Sequence, residues 1–228
     1  MSISDERTLM DFHTHTFYSD GALSPMEQAR RAAVNGYGVL GLTDHVGVGG
    51  VERLLDELRR DRETIEQHWP IRVVVGVELT HVPAEAIADA AALARNAGAE
   101  IVVVHGETPV EPVPAGTNHA AIVCGLVDVL AHPGLLTDED ASLAVEHQVV
   151  LEISARRGHS LTNGHVVRMA ERAGARLVVN SDAHEPSDLL TAAFQERVAR
   201  GAGVGEGLLQ DVLVTNPAWL LERVLARR

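Results

Sequence analysis

Residues 100–105 read EIVVVH: a short aliphatic run that ends on a histidine and is followed at once by Gly106. The run has the length of a strand and is too short for an amphipathic helix. Six other stretches are built the same way: TLMDF (8–12), GVLGLT (38–43), RVVVGVE (72–78), VDVLAH (127–132), VVLEIS (149–154) and RLVVNS (176–181). Helical patterns joined by short turns separate them, and this alternation predicts a parallel sheet assembled from βα units. Seven strands spaced by helices are better served by a closed or nearly closed α/β barrel than by an open sheet.

The intervening segments carry helix signals. Ser24-Pro25-Met26-Glu27 pairs a capping box, Ser24 with Glu27, with proline at the first helical position, and that helix should end near Asn35-Gly36. The charge-laced VERLLDELRRDRETIEQH (51–68) describes a solvated outer helix. PAEAIADAAALARNAG (83–98) and NGHVVRMAERAG (163–174) finish at glycine C-caps. Two or three further helices and a tail are expected beyond residue 186. No linker composition, low-complexity tract or other repeat interrupts the pattern, so residues 1–228 read as a single domain.

Composition narrows the chemistry. The net charge of −13 argues against stable binding to nucleic acid or an anionic membrane, because phosphate-backbone affinity comes mostly from basic side chains. All 19 basic residues are arginine, which excludes Schiff-base, pyridoxal phosphate and P-loop chemistry. The one cysteine, Cys124, forbids an intramolecular disulfide and any cysteine-based zinc cluster, and within AIVCGLV it reads as a buried structural thiol. No apolar stretch approaches the roughly 20 residues that cross a bilayer, and MSISDERT is too charged for a signal-peptide core, so a cytoplasmic location is expected.

Every expected strand ends in a reactive group. His13 and His15 follow the first, Asp44-His45 the second, Glu78 the third, His105 the fourth and His132 the fifth. The sixth runs into Arg156-Arg157, and the seventh into Asp182 and His184. In a βα barrel these ends share one face, where active sites are built. In His13-Thr14-His15 and Asp182-Ala183-His184, a two-residue step on extended backbone turns both side chains the same way. Imidazoles and carboxylates without thiolates suit Zn²⁺, Mn²⁺ or Fe²⁺. His13, His15, His45, Glu78, His105, His132, Asp182 and His184 exceed what one catalytic ion takes, so two or three ions are implied. His68, His81, His119 and His147 read as ordinary helix and turn residues. His159 and His165, in the polar RRGHSLTNGH, are weaker candidates for a site role.

DFHTHTFYSDG, GLTDH, GVE, VVVHGE, LAHPG and NSDAH, in this order over residues 11–184, resemble the motifs of the PHP (polymerase and histidinol phosphatase) family of metal-dependent phosphoesterases. The resemblance implies a distorted (β/α)7, TIM-like barrel with up to three metals at its C-terminal face. Carried over by motif, His13, His15, Glu78 and Asp182 would hold the first ion. A bridging Glu78 would join His105 and His132 on the second, and Asp20, His45 and His184 would hold the third. In many members the position of Asp20 is a histidine, and a carboxylate there makes a harder site. VVHGETPVEPVPAGTNHAAI and LEISARRGHSLTNGH are similar to stand-alone PHP phosphoesterases rather than to histidinol phosphatases proper.

The expected activity is hydrolysis of a small phosphate ester, foremost a phosphomonoester, by a hydroxide bridging two ions, with a small phosphorylated metabolite as the binding partner. Arg156 and Arg157 are expected to grip the phosphate, because a guanidinium fork matches two phosphate oxygens. His159 is expected to orient substrate or protonate the leaving group. Three other readings are open: a PHP-type exonuclease or cyclic phosphodiesterase, an amide or lactone hydrolase on a similar barrel, and a non-catalytic RNA-binding barrel. The acidic charge and few aromatics weigh against the first and third. The second often needs a carboxylated lysine, which this chain lacks. Nothing in the sequence specifies an oligomeric state.

Overall fold

The computed structural model describes residues 7–228. The expectation drawn from MSISDERT falls mostly outside them. All seven expected strands form, as β1 (Leu9–Asp11), β2 (Tyr37–Leu42), β4 (Arg72–Leu79), β5 (Ile101–His105), β6 (Val129–Ala131), β7 (Val150–Ser154) and β8 (Leu177–Asn180). They are parallel and lie side by side in chain order. One addition, the two-residue β3 (His45–Val46), pairs with the end of β4 and sets His45 opposite Glu78.

The sheet curls into a nearly closed α/β barrel. β1 and β8 share no ladder; they meet just past their ends, through a parallel bridge between Thr14 and Ala183. There His15 N donates to Ala183 O at 2.9 Å and Asp182 N to His13 O at 3.0 Å. One step lower, Asn180 Oδ1 accepts from Phe12 N at 3.0 Å, a side chain standing in for a missing backbone partner. The seam therefore closes on the residues that line the site.

The pleat sorts the side chains. On β4, Val73, Val75, Val77 and Leu79 face the helices, while Val74 points inward. Gly76 and Glu78 share that inward parity. The barrel interior packs Phe12, Val39, Val74, Ile101, Val103, Val129, Val150 and Val178, and Leu220 and Val224 plug it. Those two belong to α8 (Asn216–Leu225), whose neighbours Arg223 and Arg227 donate to Gln148 O and Glu100 O, just ahead of β7 and β5. The plug thus fills the N-terminal mouth and leaves the C-terminal mouth to polar groups. Gly76 is required by its surroundings: a Cβ there would stand 2.2 Å from Ile101 O.

Helices α1 (Pro25–Val34), α2 (Val51–His68), α3 (Ile87–Asn96), α4 (Thr117–Val123), α5 (Asp138–Glu146), α6 (Asn163–Ala173) and α7 (Ala192–Gly201) cover the outside. Ser24 caps α1 as expected, accepting from Glu27 N at 3.2 Å, but the Glu27 carboxylate turns to Arg31 at 2.8 Å. α2 buries Val51, Leu54, Leu55, Leu58 and Ile65 and turns its charges outward. Cys124, expected in the core, is only half-buried, because α4 ends one residue before it and leaves the thiol at the helix terminus. Among the described residues no helix is long and apolar enough to cross a membrane.

Candidate metal centre

The inward face of the strand ends gathers a buried box of imidazoles and carboxylates. Thr14 fixes its first wall: its hydroxyl donates to Gly41 O at 2.6 Å and its N–H to Thr43 Oγ1 at 3.2 Å, which turns His13 and His15 inward together. Their Nε2 atoms lie 3.0 Å apart. His13 Nε2 is 3.2 Å from Glu78 Oε1, and His15 Nε2 is 3.2 Å from Asp182 Oδ1. All four residues are buried.

Two further groups flank this one. His105, His132 and His159 bring three ring nitrogens within 4.8 Å of one another on one side. On the other, Asp20 Oδ1 is 3.1 Å from His184 Nε2 and 3.5 Å from His45 Nε2, with His15 close by. Asp44 sets that corner without entering it. Its buried carboxylate accepts from Thr16 N at 2.7 Å and Ser19 Oγ at 2.7 Å, which pins the turn that presents Asp20. His132 and Asp182 hold φ of 28° and 53°, in the left-handed region that non-glycine residues avoid, and such strain is characteristic of functional sites.

Hydrogen bonds behind the box decide which nitrogen each ring presents. His13 Nδ1 meets Glu152 Oε2 at 2.8 Å, His105 Nδ1 meets Gly106 O at 3.2 Å, His159 Nδ1 meets Thr108 Oγ1 at 2.9 Å, and His184 Nδ1 meets Asp182 O at 2.9 Å. His45 Nδ1 contacts Thr80 Oγ1 at 2.7 Å and the Glu78 carboxylate. In each case Nε2 is left facing the pocket.

The electrostatics follow from burial and crowding. Burial drives His15 and His132 well below the ordinary imidazole value, with neighbouring histidines adding to it. Both rings are therefore neutral lone-pair donors at pH 7. Burial also opposes ionisation of Glu78, but His13 and His45 outweigh it and hold the carboxyl well below its usual range. At Asp182 burial wins, helped by Glu78 and Glu152, and the carboxyl is pushed well above it.

The donor set fits divalent cations. Two imidazole nitrogens facing one another at 3.0 Å inside a buried box, beside a Glu78 Oε1 with no hydrogen-bond partner, form a donor set that a bound cation would satisfy. Nitrogen and carboxylate donors without sulfur suit Zn²⁺, Mn²⁺ or Fe²⁺. All nine residues expected as ligands therefore converge.

The remaining expectations divide. Arg156 lines the same pocket of about 200 Å³, donating to Asp182 O at 3.2 Å, with its Nη1 2.6 Å from His184 Nδ1. Arg157 does not line it; the turn after Ala155 leaves that side chain exposed. His159 is buried and lines the pocket, whereas His165 turns outward to donate to Leu136 O at 2.7 Å. His81, read from the sequence as a turn residue, reaches the rim at φ 53°. Glu111 and Glu152 also join the site. Glu152 had a signal, an acid in the middle of the aliphatic VVLEIS with the inward parity of Val150. Glu111, in the proline-rich GETPVEPVPAG, had none.

Comparison with known proteins bears on the family and the fold. The PHP domain matches residues 11–171. The chain belongs to the PHP domain family. The uncharacterized protein MJ1295 of Methanocaldococcus jannaschii is 43% identical to this PHP chain over 215 residues, covering 94% of it and 99% of the relative. A Thermoanaerobacter protein named "Probable phosphatase" is 26% identical over 225 residues, covering 89% and 90%. The crystal structure of a candidate histidinol phosphatase from Listeria monocytogenes superposes with a TM-score of 0.60 at 10% identity, over 79% of this chain and 97% of that one. At that identity it speaks for the shared PHP barrel alone.

Proposed function

We propose that this PHP protein is a metal-dependent phosphoesterase that hydrolyses a small phosphomonoester in the cytoplasm. The observation that carries the reading is the box itself: imidazoles and carboxylates at ligating distance from one another, in a pocket of about 200 Å³ with one guanidinium on its wall. Family membership and a relative named as a phosphatase support it.

His13, His15, Glu78 and Asp182 would hold one ion, Glu78 with His105 and His132 a second, and Asp20, His45 and His184 a third. Such ions, when bound, supply Lewis acidity to a phosphoryl group and make hydroxide available near neutral pH. The protein's own share is positioning. Glu152 holds the His13 ring in one tautomer. Arg156, tied to the Asp182 carbonyl, presents the remainder of its fork to the pocket, where it matches a phosphate oxygen pair. His159 lies too low for a proton donor at neutral pH, because burial, aided by His105 and Arg156, brings it to about 4 against the pull of Glu111. It meets the pocket as a neutral ring.

Turnover of a phosphomonoester panel, single-stranded oligonucleotides and simple amides by the metal-loaded protein tests the reading. Phosphate release from monoesters should exceed the other two activities by orders of magnitude. Dominant nucleotide release or amide cleavage would replace this reading with one of its rivals.

A further inference from the structure

Glu111 sits at the apex of the loop GETPVEPVPAG (106–116), which leans over the pocket mouth. The base of the loop is fixed. Glu107 Oε1 accepts from Gly116 N at 3.0 Å and from Asn118 N at 2.9 Å, and Asn118 Oδ1 accepts from Glu107 N at 3.0 Å. From this base the Glu111 carboxylate reaches back to three rings. Oε2 is 3.1 Å from His105 Nε2 and 3.4 Å from His81 Nε2, and Oε1 is 3.4 Å from His159 Nε2.

The tautomers make this contact unusual. The hydrogen of His105 is committed at Nδ1, to Gly106 O, so its Nε2 offers a lone pair, while His159 Nδ1 meets the Thr108 hydroxyl, which can give or take a proton. A lone pair does not donate to a carboxylate. The bare His105 nitrogen and an anionic oxygen this close are reconciled by a cation between them, and His132 and His159 share the ring cluster. Glu111 differs from its partners in exposure: its side chain is 38% exposed, against 2% for His105, 1% for His132 and 5% for His159. It also comes from a loop apex, whereas His105 and His132 stand at strand ends.

We propose that Glu111 is a displaceable carboxylate ligand of the ion held by Glu78, His105 and His132, beside His159, occupying in the resting protein the coordination position that a phosphate oxygen takes when substrate enters. The inference rests on the phosphoesterase reading above. Phosphate, carrying more charge than a carboxylate and gripped also by Arg156, displaces it. The swung-out side chain keeps a partner in exposed His81, at the rim. Glu111 thus shields the ion from adventitious anions and chelators and is removed by the ligand the site is built for.

The test uses the metal-loaded protein and two readouts besides turnover, the rate of metal release to a chelator and the affinity for inorganic phosphate, in wild type, Glu111→Gln and Glu111→Asp. Both variants should release one ion per chain faster, by about tenfold. Both should bind inorganic phosphate severalfold tighter, because no ligand has to leave. Glu111→Asp keeps the charge but withdraws the carboxylate by one methylene. If it behaves like wild type while Glu111→Gln binds phosphate tighter, the effect is charge repulsion and the proposal is overturned. Weaker phosphate binding in both variants overturns it too, since Glu111 is then a permanent ligand, as does no change in either readout. Failure of the parent reading shows separately, as a wild type that retains no metal or binds no phosphate.

Discussion

The carboxylate of Glu152 is wholly buried in the barrel wall, with one oxygen shared between His13 Nδ1 and Asn180 Nδ2 and the other without a partner. A buried charge left half satisfied destabilises the fold unless something offsets it. His13 shows the offset: burial lowers its pKa, but Glu152, Glu78 and Asp182 together raise it well above the ordinary value. Glu152→Gln should therefore lower two measurements. The metal-free protein should melt at a lower temperature, because a neutral amide no longer offsets the His13 charge, and titration calorimetry should show metal affinity weakened about 10- to 100-fold, the usual loss when a partner behind a ligating histidine is changed. Unchanged affinity would reduce Glu152 to packing. Asp20 makes the second prediction at this scale. It is an exposed oxygen donor among imidazoles, so Asp20→His should shift one ion per chain from Mn²⁺ towards Zn²⁺ in a mixed-metal competition followed by elemental analysis.

At the scale of elements, the sequence shows what depends on local pattern and hides what depends on tertiary contact. Aliphatic runs leading into reactive residues marked seven strands, because inward and outward parity is written in every second position. β3 escaped notice, since two residues carry no period; it exists because His45 must sit opposite Glu78. The capping box at Ser24 formed by half, because Arg31 one turn on offers Glu27 a charged partner. Eight of the nine ligand candidates were legible from their place at strand ends, whereas Asp20, in a turn, came only from the motif resemblance. Arg157 misled because adjacent arginines in a turn cannot both face one pocket, and Glu111 stayed hidden because its loop has no periodicity. Gly76 looks like a flaw in RVVVGVE, yet it lets β4 and β5 approach. Gly76→Ala should cost about 1–3 kcal/mol, read as a lowered denaturation midpoint.

Over the whole molecule the two mouths of the barrel are finished differently. The N-terminal one is closed by the apolar plug of α8 and by ionic contacts on buried Asp128, which meets Arg95, Arg227 at 2.7 Å and Arg223 at 3.5 Å. The C-terminal one concentrates imidazoles and carboxylates that bound cations would reconcile. Leu220→Ala at the plug should destabilise by about 2–5 kcal/mol while leaving metal content per folded chain unchanged. Metal, in contrast, should stabilise from the other end. A free concentration 100-fold above Kd adds about 2.7 kcal/mol per site, a melting-temperature rise of roughly 5–10 °C for a chain of this size.

The central claim, that this PHP barrel is a phosphoesterase working through metals held by its strand ends, meets its most direct test in phosphate release from a phosphomonoester. The assay is run on protein stripped of metal and then reconstituted with Mn²⁺, Zn²⁺ or Fe²⁺. The account predicts no turnover in the stripped protein, recovery on adding metal, and no recovery in folded His13→Ala or Glu78→Ala. Turnover undiminished by stripping, or surviving in both variants, would contradict it.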